Sequence, residues 1–367
     1  MIYFDNSATS GVKPDCVVNA VVNAIRHLSA NPGRSGHSLS VSAGMLVYST
    51  RKKAADMLGV GEPERIIFTS GCTQALNMAI LGTVISGGNV VTTALEHNSV
   101  LRPLFELQRA GRITVGIAEP NERGVITAKE IERAVTSRTY LVAVNHISNV
   151  TGAINNIDEI GKFCRSRGIK FLVDGAQSVG YGDIDMREQH IDYLAVAPHK
   201  GLCAIQGVGI LALGAGTDIR PTLYGGTGTQ SENVFQPLEL PEALESGTLP
   251  TPAIAALSAA IVHNQKTRAE KRRKLRELSA YILDGIKKTR GVTVFTAPDT
   301  YNGLISFNID GIGSMEASNI LSSHYDIAVR GGLHCAPLVH RHLKTLDSGI
   351  IRASVSSDNT FGEADFF

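Results

Sequence analysis

Tyr140-Leu-Val-Ala-Val-Asn145, then Ile157–Arg167, then Lys170-Phe-Leu-Val-Asp174: this stretch decides the fold. Two short apolar runs, each ending in a polar residue, flank a helical pattern that stops near Gly168. A strand that is apolar at nearly every position is buried on both faces, as parallel strands covered by helices are. The intervening helix is the crossover that a parallel pair requires. The same texture extends outward. Arg65-Ile-Ile-Phe-Thr69 reads as a strand, Thr73 to Ile85 as a helix, and Asn89-Val-Val-Thr-Thr93 as a strand. Tyr193-Leu-Ala-Val196 and Val208-Gly-Ile-Leu-Ala212 continue the series. The expectation is an α/β fold with a mostly parallel sheet covered on both faces.

The pattern changes after residue 216. Asp218 to Pro252 is rich in Gly, Thr and Pro and reads as an ordered loop, and loops of that length in a compact domain usually serve function. Pro252–Lys288 reads as one long helix. Val292–Phe295, Gly303–Ile309 and Ile350–Ser354, with a helix over Ser314–His324, predict a small α+β domain. The expected division is a large domain over residues 15–255 and a small one formed by 1–14 and 256–367. The sequence stops at Asp365-Phe-Phe367, where a helix begins.

The chain has 367 residues, enough for two domains. Its apolar content of 43% and charged content of 19% are those of an ordinary globular protein. A net charge of +1 gives no reason to expect nucleic acid or an anionic membrane as a partner. The basic run Lys266-Thr-Arg-Ala-Glu-Lys-Arg-Arg-Lys-Leu-Arg276 reads as a solvated helix face, with an acidic partner surface as the alternative. Met1-Ile-Tyr-Phe-Asp5 enters a strand at once, which predicts no signal peptide, and no apolar run of about 18 residues predicts a membrane span. Five scattered cysteines without a Cys-x-x-Cys pair predict neither a disulfide framework nor a metal site, and a cytoplasmic setting.

Several strand ends carry chemistry. Thr69-Ser-Gly71-Cys72-Thr73-Gln74 joins a strand to a helix, where free amides and hydroxyls suit a phosphate, although many such turns bind nothing. Asp174 ends its strand, where ligands of open α/β sheets bind. It can hold a pyridine nitrogen protonated, or it can simply cap the next helix. Lys200, in Ala197-Pro198-His199-Lys200-Gly201, is either a surface lysine or a buried amine whose lowered pKa frees it to attack an aldehyde. His97, in Glu96-His97-Asn98-Ser99, suits a planar cofactor or proton transfer, or is a loop residue. Cys335 lies in Arg330-Gly-Gly-Leu-His-Cys335-Ala336-Pro337. It is an inert small apolar residue or a nucleophile whose thiolate Arg330, His334 and His340 favour. A Schiff-base lysine with a separate thiol points to chemistry on an amino acid held by pyridoxal phosphate.

The order of these motifs resembles the cysteine desulfurases and selenocysteine lyases, fold-type I enzymes of the class V aminotransferase group. The resemblance runs from Tyr3-Phe-Asp5-Asn6-Ser-Ala8-Thr9, through Asn31-Pro-Gly-Arg34-Ser-Gly-His37, to Arg352-Ala-Ser354 and Asn359-Thr360. It implies a desulfurase or lyase that takes sulfur or selenium from L-cysteine or selenocysteine, leaving alanine and a persulfide on Cys335. The short Arg330–Cys335 loop resembles the group II branch. The rival expectations are a class V aminotransferase or other β-lyase, or a non-catalytic scaffold that binds a sulfur carrier.

The resemblance also implies roles. Lys200 carries the cofactor as a Schiff base, Asp174 pairs with its ring nitrogen, Gln177 with its phenolic oxygen, and His97 stacks on the ring. Gly71, Cys72, Thr73 and His199 hold the phosphate. Asn149, Arg330 and Arg352 bind substrate, Asn149 also touching the cofactor edge. Gly247-Thr248 reaches the phosphate of a neighbouring subunit, which implies a homodimer, and a sulfur- or selenium-acceptor protein is a further expected partner. One departure is Ala197, where the family has a serine on the phosphate. One phosphate hydrogen bond is therefore expected to be missing, or to be replaced by Ser70 or Thr227.

Overall fold

A computed structural model describes residues 1–33, 35–300 and 302–367; Arg34 of the early loop lies outside the described residues. The chain opens with β1 (Ile2–Tyr3), α1 (Asp15–His27) and α2 (Ser38–Leu58). The alternating region follows: β2 (Ile66–Thr69), α3 (Cys72–Gly82), β3 (Gly88–Thr93), α4 (Asn98–Arg109), β4 (Ile113–Ala118) and α5 (Ala128–Ala134). It continues with β5 (Thr139–Asn145), α6 (Ile157–Arg167), β6 (Lys170–Asp174), β7 (Tyr193–Val196) and β8 (Gly209–Leu213). The remainder comprises α7 (Thr251–Lys288), β9 (Val292–Val294), β10 (Leu304–Ile309), α8 (Ser314–Tyr325), β11 (Ile327–Ala328), α9 (Pro337–His342), β12 (Ile351–Ser354) and α10 (Phe361–Phe366).

Seven strands form the main sheet in the order β2-β8-β7-β6-β5-β3-β4. All neighbours are parallel except those of β8, which runs antiparallel to both β2 and β7. The central strands are apolar throughout because they are buried twice. Val142 and Val144 face one core with α2, α6 and the first half of α7, while Leu141 and Ala143 face another with α3 and α4. Register then brings the polar ends together, for Asn145 stands level with Asp174, and Asp174 with Ala195.

A third core unites Phe4, Leu275, Phe307 and Ile351, so the first strand folds with the last part of the chain. Its sheet, β12-β10-β9, is antiparallel, and β1 pairs with β11 beside it. Helix α7 serves both regions, with Ala256 and Ile261 in the large core and Leu275 and Ile282 in this one.

Candidate functional site

Strand ends and small-core residues together enclose a cavity of about 420 Å³. From the strand side come Gly71, Cys72, Thr73, His97, Asp174 and Lys200; from the other side come Ser7, Arg330, His334 and Arg352. Tight backbone approaches shape it. A Cβ atom at Gly209 would lie 2.4 Å from the Gly71 carbonyl carbon, and one at Gly201 would lie 2.4 Å from the Val179 oxygen. Any larger residue would push the turn before α3, or the chain after Lys200, out of place.

Lys200 is enclosed. Burial lowers its amine pKa, while Asp174 works against that shift. Asp174 Oδ1 accepts the Ala176 amide at 2.9 Å, the local turn that a capping role anticipates. The carboxylate nevertheless lines the cavity, so the capping and pocket readings coexist. Gln177 Nε2 donates to the Ser7 carbonyl at 3.1 Å.

His97 caps α4, its Nδ1 accepting the Ser99 amide at 3.1 Å. The ring proton therefore sits on Nε2. Ser99 Oγ lies 2.8 Å from Thr73 Oγ1, so the starts of α3 and α4 are tied together. Burial pushes the His97 pKa down, and that of His199 down to about 4. His199 Nδ1 lies 3.1 Å from Thr9 Oγ1. Gly71 caps α3 without any side-chain hydrogen bond, which leaves the amides of its first turn for a ligand.

Arg352 is fully buried, and Asp5 and the Asn149 carbonyl take its two terminal nitrogens. Its Nε, like Asn149 Oδ1, is a buried polar atom without a partner among the described residues. Both residues line the cavity. An anionic ligand with polar edges and a carbonyl able to meet an amine matches this donor set.

Cys335 is exposed, and its neighbour His334 lines the cavity. The peptides before and after Cys335 are both pinned: Asn149 Nδ2 donates to the His334 carbonyl at 2.8 Å, and the Asn98 amide to the Cys335 carbonyl at 2.7 Å. His334 and Cys335 have φ of 49° and 57°, left-handed conformations that cost side-chain-bearing residues about 1–2 kcal/mol each. One expectation is corrected here. His334 and His340 are buried and their pKa values are pushed down, His334 to about 3, so neither supplies positive charge to favour a thiolate.

Two further expected residues lie outside the cavity. Thr248 sits on an exposed stretch, although Glu245 before it anchors to Arg51 at 2.7 Å and to the Phe68 amide at 2.5 Å. Thr227 lines a separate cleft with Gly247, whereas Ser70 lines the cavity; only Ser70 is therefore placed to replace the missing serine within one chain. Sequence reasoning missed Asp5, Ser7 and Ser99, which lie inside quoted motifs but show their use only through three-dimensional partners. It also missed Glu96, buried between Thr93 and the Asn145 amide, whose burial raises its pKa to about 8.

Comparison with known proteins agrees with this geometry. A probable cysteine desulfurase of Pyrococcus abyssi is 32% identical over 100% of this chain and 92% of its own length. A probable cysteine desulfurase of Methanothermobacter thermautotrophicus is 30% identical over 99% of this chain and 92% of its own length. The apo structure of a cysteine desulfurase from Thermococcus onnurineus superposes with a TM-score of 0.90 at 30% identity, covering 99% of this chain and 92% of that one. The aminotransferase class-V family model matches residues 2–367, and this chain belongs to that family.

Proposed function

We propose that this chain is a pyridoxal-phosphate-dependent cysteine desulfurase that also accepts selenocysteine. One observation carries the reading: Lys200 and Asp174 share a cavity whose rim is hydrogen-bonded to the loop bearing Cys335. The family is known to depend on pyridoxal phosphate. The cavity suits that group on its own chemistry, offering a buried amine, a carboxylate, a helix N-terminus for phosphate and unpartnered polar atoms.

Bound pyridoxal phosphate supplies an electron sink for bonds broken at the substrate α-carbon. Lys200 Nζ, its pKa lowered by burial, would hold the cofactor and take the substrate's α-proton. Asp174 would keep the ring nitrogen protonated, and Gln177 has a second amide N–H that it would offer to the phenolic oxygen. His97 supports the ring. Gly71, Cys72, Thr73 and His199 hold the phosphate. Asn149, Arg330 and Arg352 bind the substrate carboxylate. Cys335 Sγ, as thiolate, bonds to the substrate sulfur as the sulfur–carbon bond breaks, with the electron pair staying on carbon. Protonation there gives alanine, and the persulfide remains on Cys335. The carbon–selenium bond is weaker, so selenocysteine needs less help from the thiol.

Thr248 completes the site of a second subunit in this reading. The exposed Met45, Tyr48, Tyr224 and Phe235 support a homodimer, because large apolar side chains in a soluble protein call for a cover. An acceptor protein collects the sulfur, five free cysteines fit a cytoplasmic setting, and the chain divides into domains at residues 15–255 and at 1–14 with 256–367.

The test is to supply L-cysteine or selenocysteine without an oxoacid and to identify products. Alanine with a persulfide mapped to Cys335 is expected. A requirement for an oxoacid would instead indicate an aminotransferase, and pyruvate with ammonia a simple β-lyase.

A further inference from the structure

Cys72 is the second thiol near the reaction, and the chemistry above gives it nothing to do beyond its place in a phosphate turn. It opens α3, while Asp174 ends β6, 102 residues away. Its Sγ stands 3.6 Å from Asp174 Oδ1 in donor geometry. The same oxygen accepts the Ala176 amide, and Oδ2 takes no hydrogen bond among the described residues. A carboxylate tied twice at one oxygen cannot rotate freely about its last bond, and the other oxygen stays open.

We infer that Cys72 is a positioning residue: its S–H donates to Asp174 Oδ1, fixes the carboxylate, and leaves Oδ2 as the acceptor available to the cofactor's ring nitrogen. The inference rests on the cofactor reading above. Burial first, and the Asp174 charge second, push the thiol pKa well up, with Lys200 opposing. Cys72 therefore keeps its proton and remains a donor. The two thiols divide the work, one exposed and available as a nucleophile, one half-buried and serving the acid.

Two measurements test this. In apoprotein, iodoacetamide labelling followed by peptide mapping should modify Cys72 severalfold faster in Asp174→Asn than in wild type, because the charge that holds the thiol proton is gone. Labelling of Cys335 should not change. Equal Cys72 rates would overturn the inference. In holoenzyme, cofactor release from Cys72→Ala should be roughly three- to tenfold faster than from wild type, the range expected for one lost hydrogen bond. Cys72→Ser should recover most of that, since a hydroxyl can donate. Equal release from all three proteins, or equal weakening in both variants, would overturn the inference alone. Wild-type protein that takes up no cofactor would overturn the functional reading beneath it.

Discussion

Arg352 Nη2 donates to Asp5 Oδ1 at 2.9 Å, joining β12 to the segment that leaves β1. The guanidinium is buried, so this pair is its compensation. Asp5→Ala should cost about 3 kcal/mol of stability, because removing one partner strands a buried charge. Asp5→Asn, which keeps an acceptor, should cost less. Urea midpoints check both. A loss for Asp5→Ala below about 0.5 kcal/mol would place the pair among weak surface ion pairs.

Lys200→Ala should abolish turnover and the near-visible absorption of covalently held cofactor, while the apoprotein melts as wild type does. The deleted amine is buried and disfavoured as a cation, so the fold does not depend on it. Absorbance spectra and calorimetry read the two effects separately. Turnover that survives would move the covalent role to another residue.

Cys335→Ala should lose nearly all desulfuration of cysteine, keep part of the activity on selenocysteine, and bind cofactor unchanged. The thiol lies on an exposed loop outside the cavity lining. Product analysis with both substrates, alongside persulfide mapping, distinguishes this from a packing role, in which both activities persist. A persulfide on Cys72 or Cys203 in a still-active variant would sink the assignment.

Stability should peak near neutral pH. Burial pushes His146 and His199 down to about 4 and His334 to about 3. Below the unfolded value of about 6.5 the unfolded chain binds more protons than the folded one, so these three lose their contribution as the pH falls. Glu96, raised to about 8, acts in the opposite sense, because stability falls between its unfolded value near 4.5 and pH 8. The histidines outweigh it on the acid side, and of these four groups Glu96 alone changes its contribution between about 6.5 and 8. Denaturation midpoints measured across pH should decline on both sides, and Glu96→Gln should flatten the alkaline decline while steepening the acid one between about 4.5 and 6.5. An unchanged alkaline limb in that variant would clear Glu96 of the effect.

Much of the fold was legible because strands such as Leu141–Val144 and Phe171–Val173 are buried twice and therefore apolar throughout. The reversed direction of β8 was not, since Gly209–Leu213 is equally apolar and composition carries no direction. At the site, Lys200, Asp174 and His97 were legible as residues placed at strand ends. The partners that hold them were not. Asp5 reaches Arg352 across 347 residues, and Gln177 meets a backbone carbonyl of Ser7, an atom that every residue type possesses. His334 misled for the same reason, because its charge state depends on burial that its neighbours in sequence do not disclose.

The separation between an enclosed Lys200 and an exposed Cys335 has a consequence for traffic. On the proposed reading, alanine leaves through the cavity mouth, while the sulfur atom waits outside it on the loop. The two products therefore have separate exits, and a fresh amino acid can enter while the previous sulfur is still awaiting collection. Turnover would then be limited by how quickly an acceptor empties the exposed Cys335.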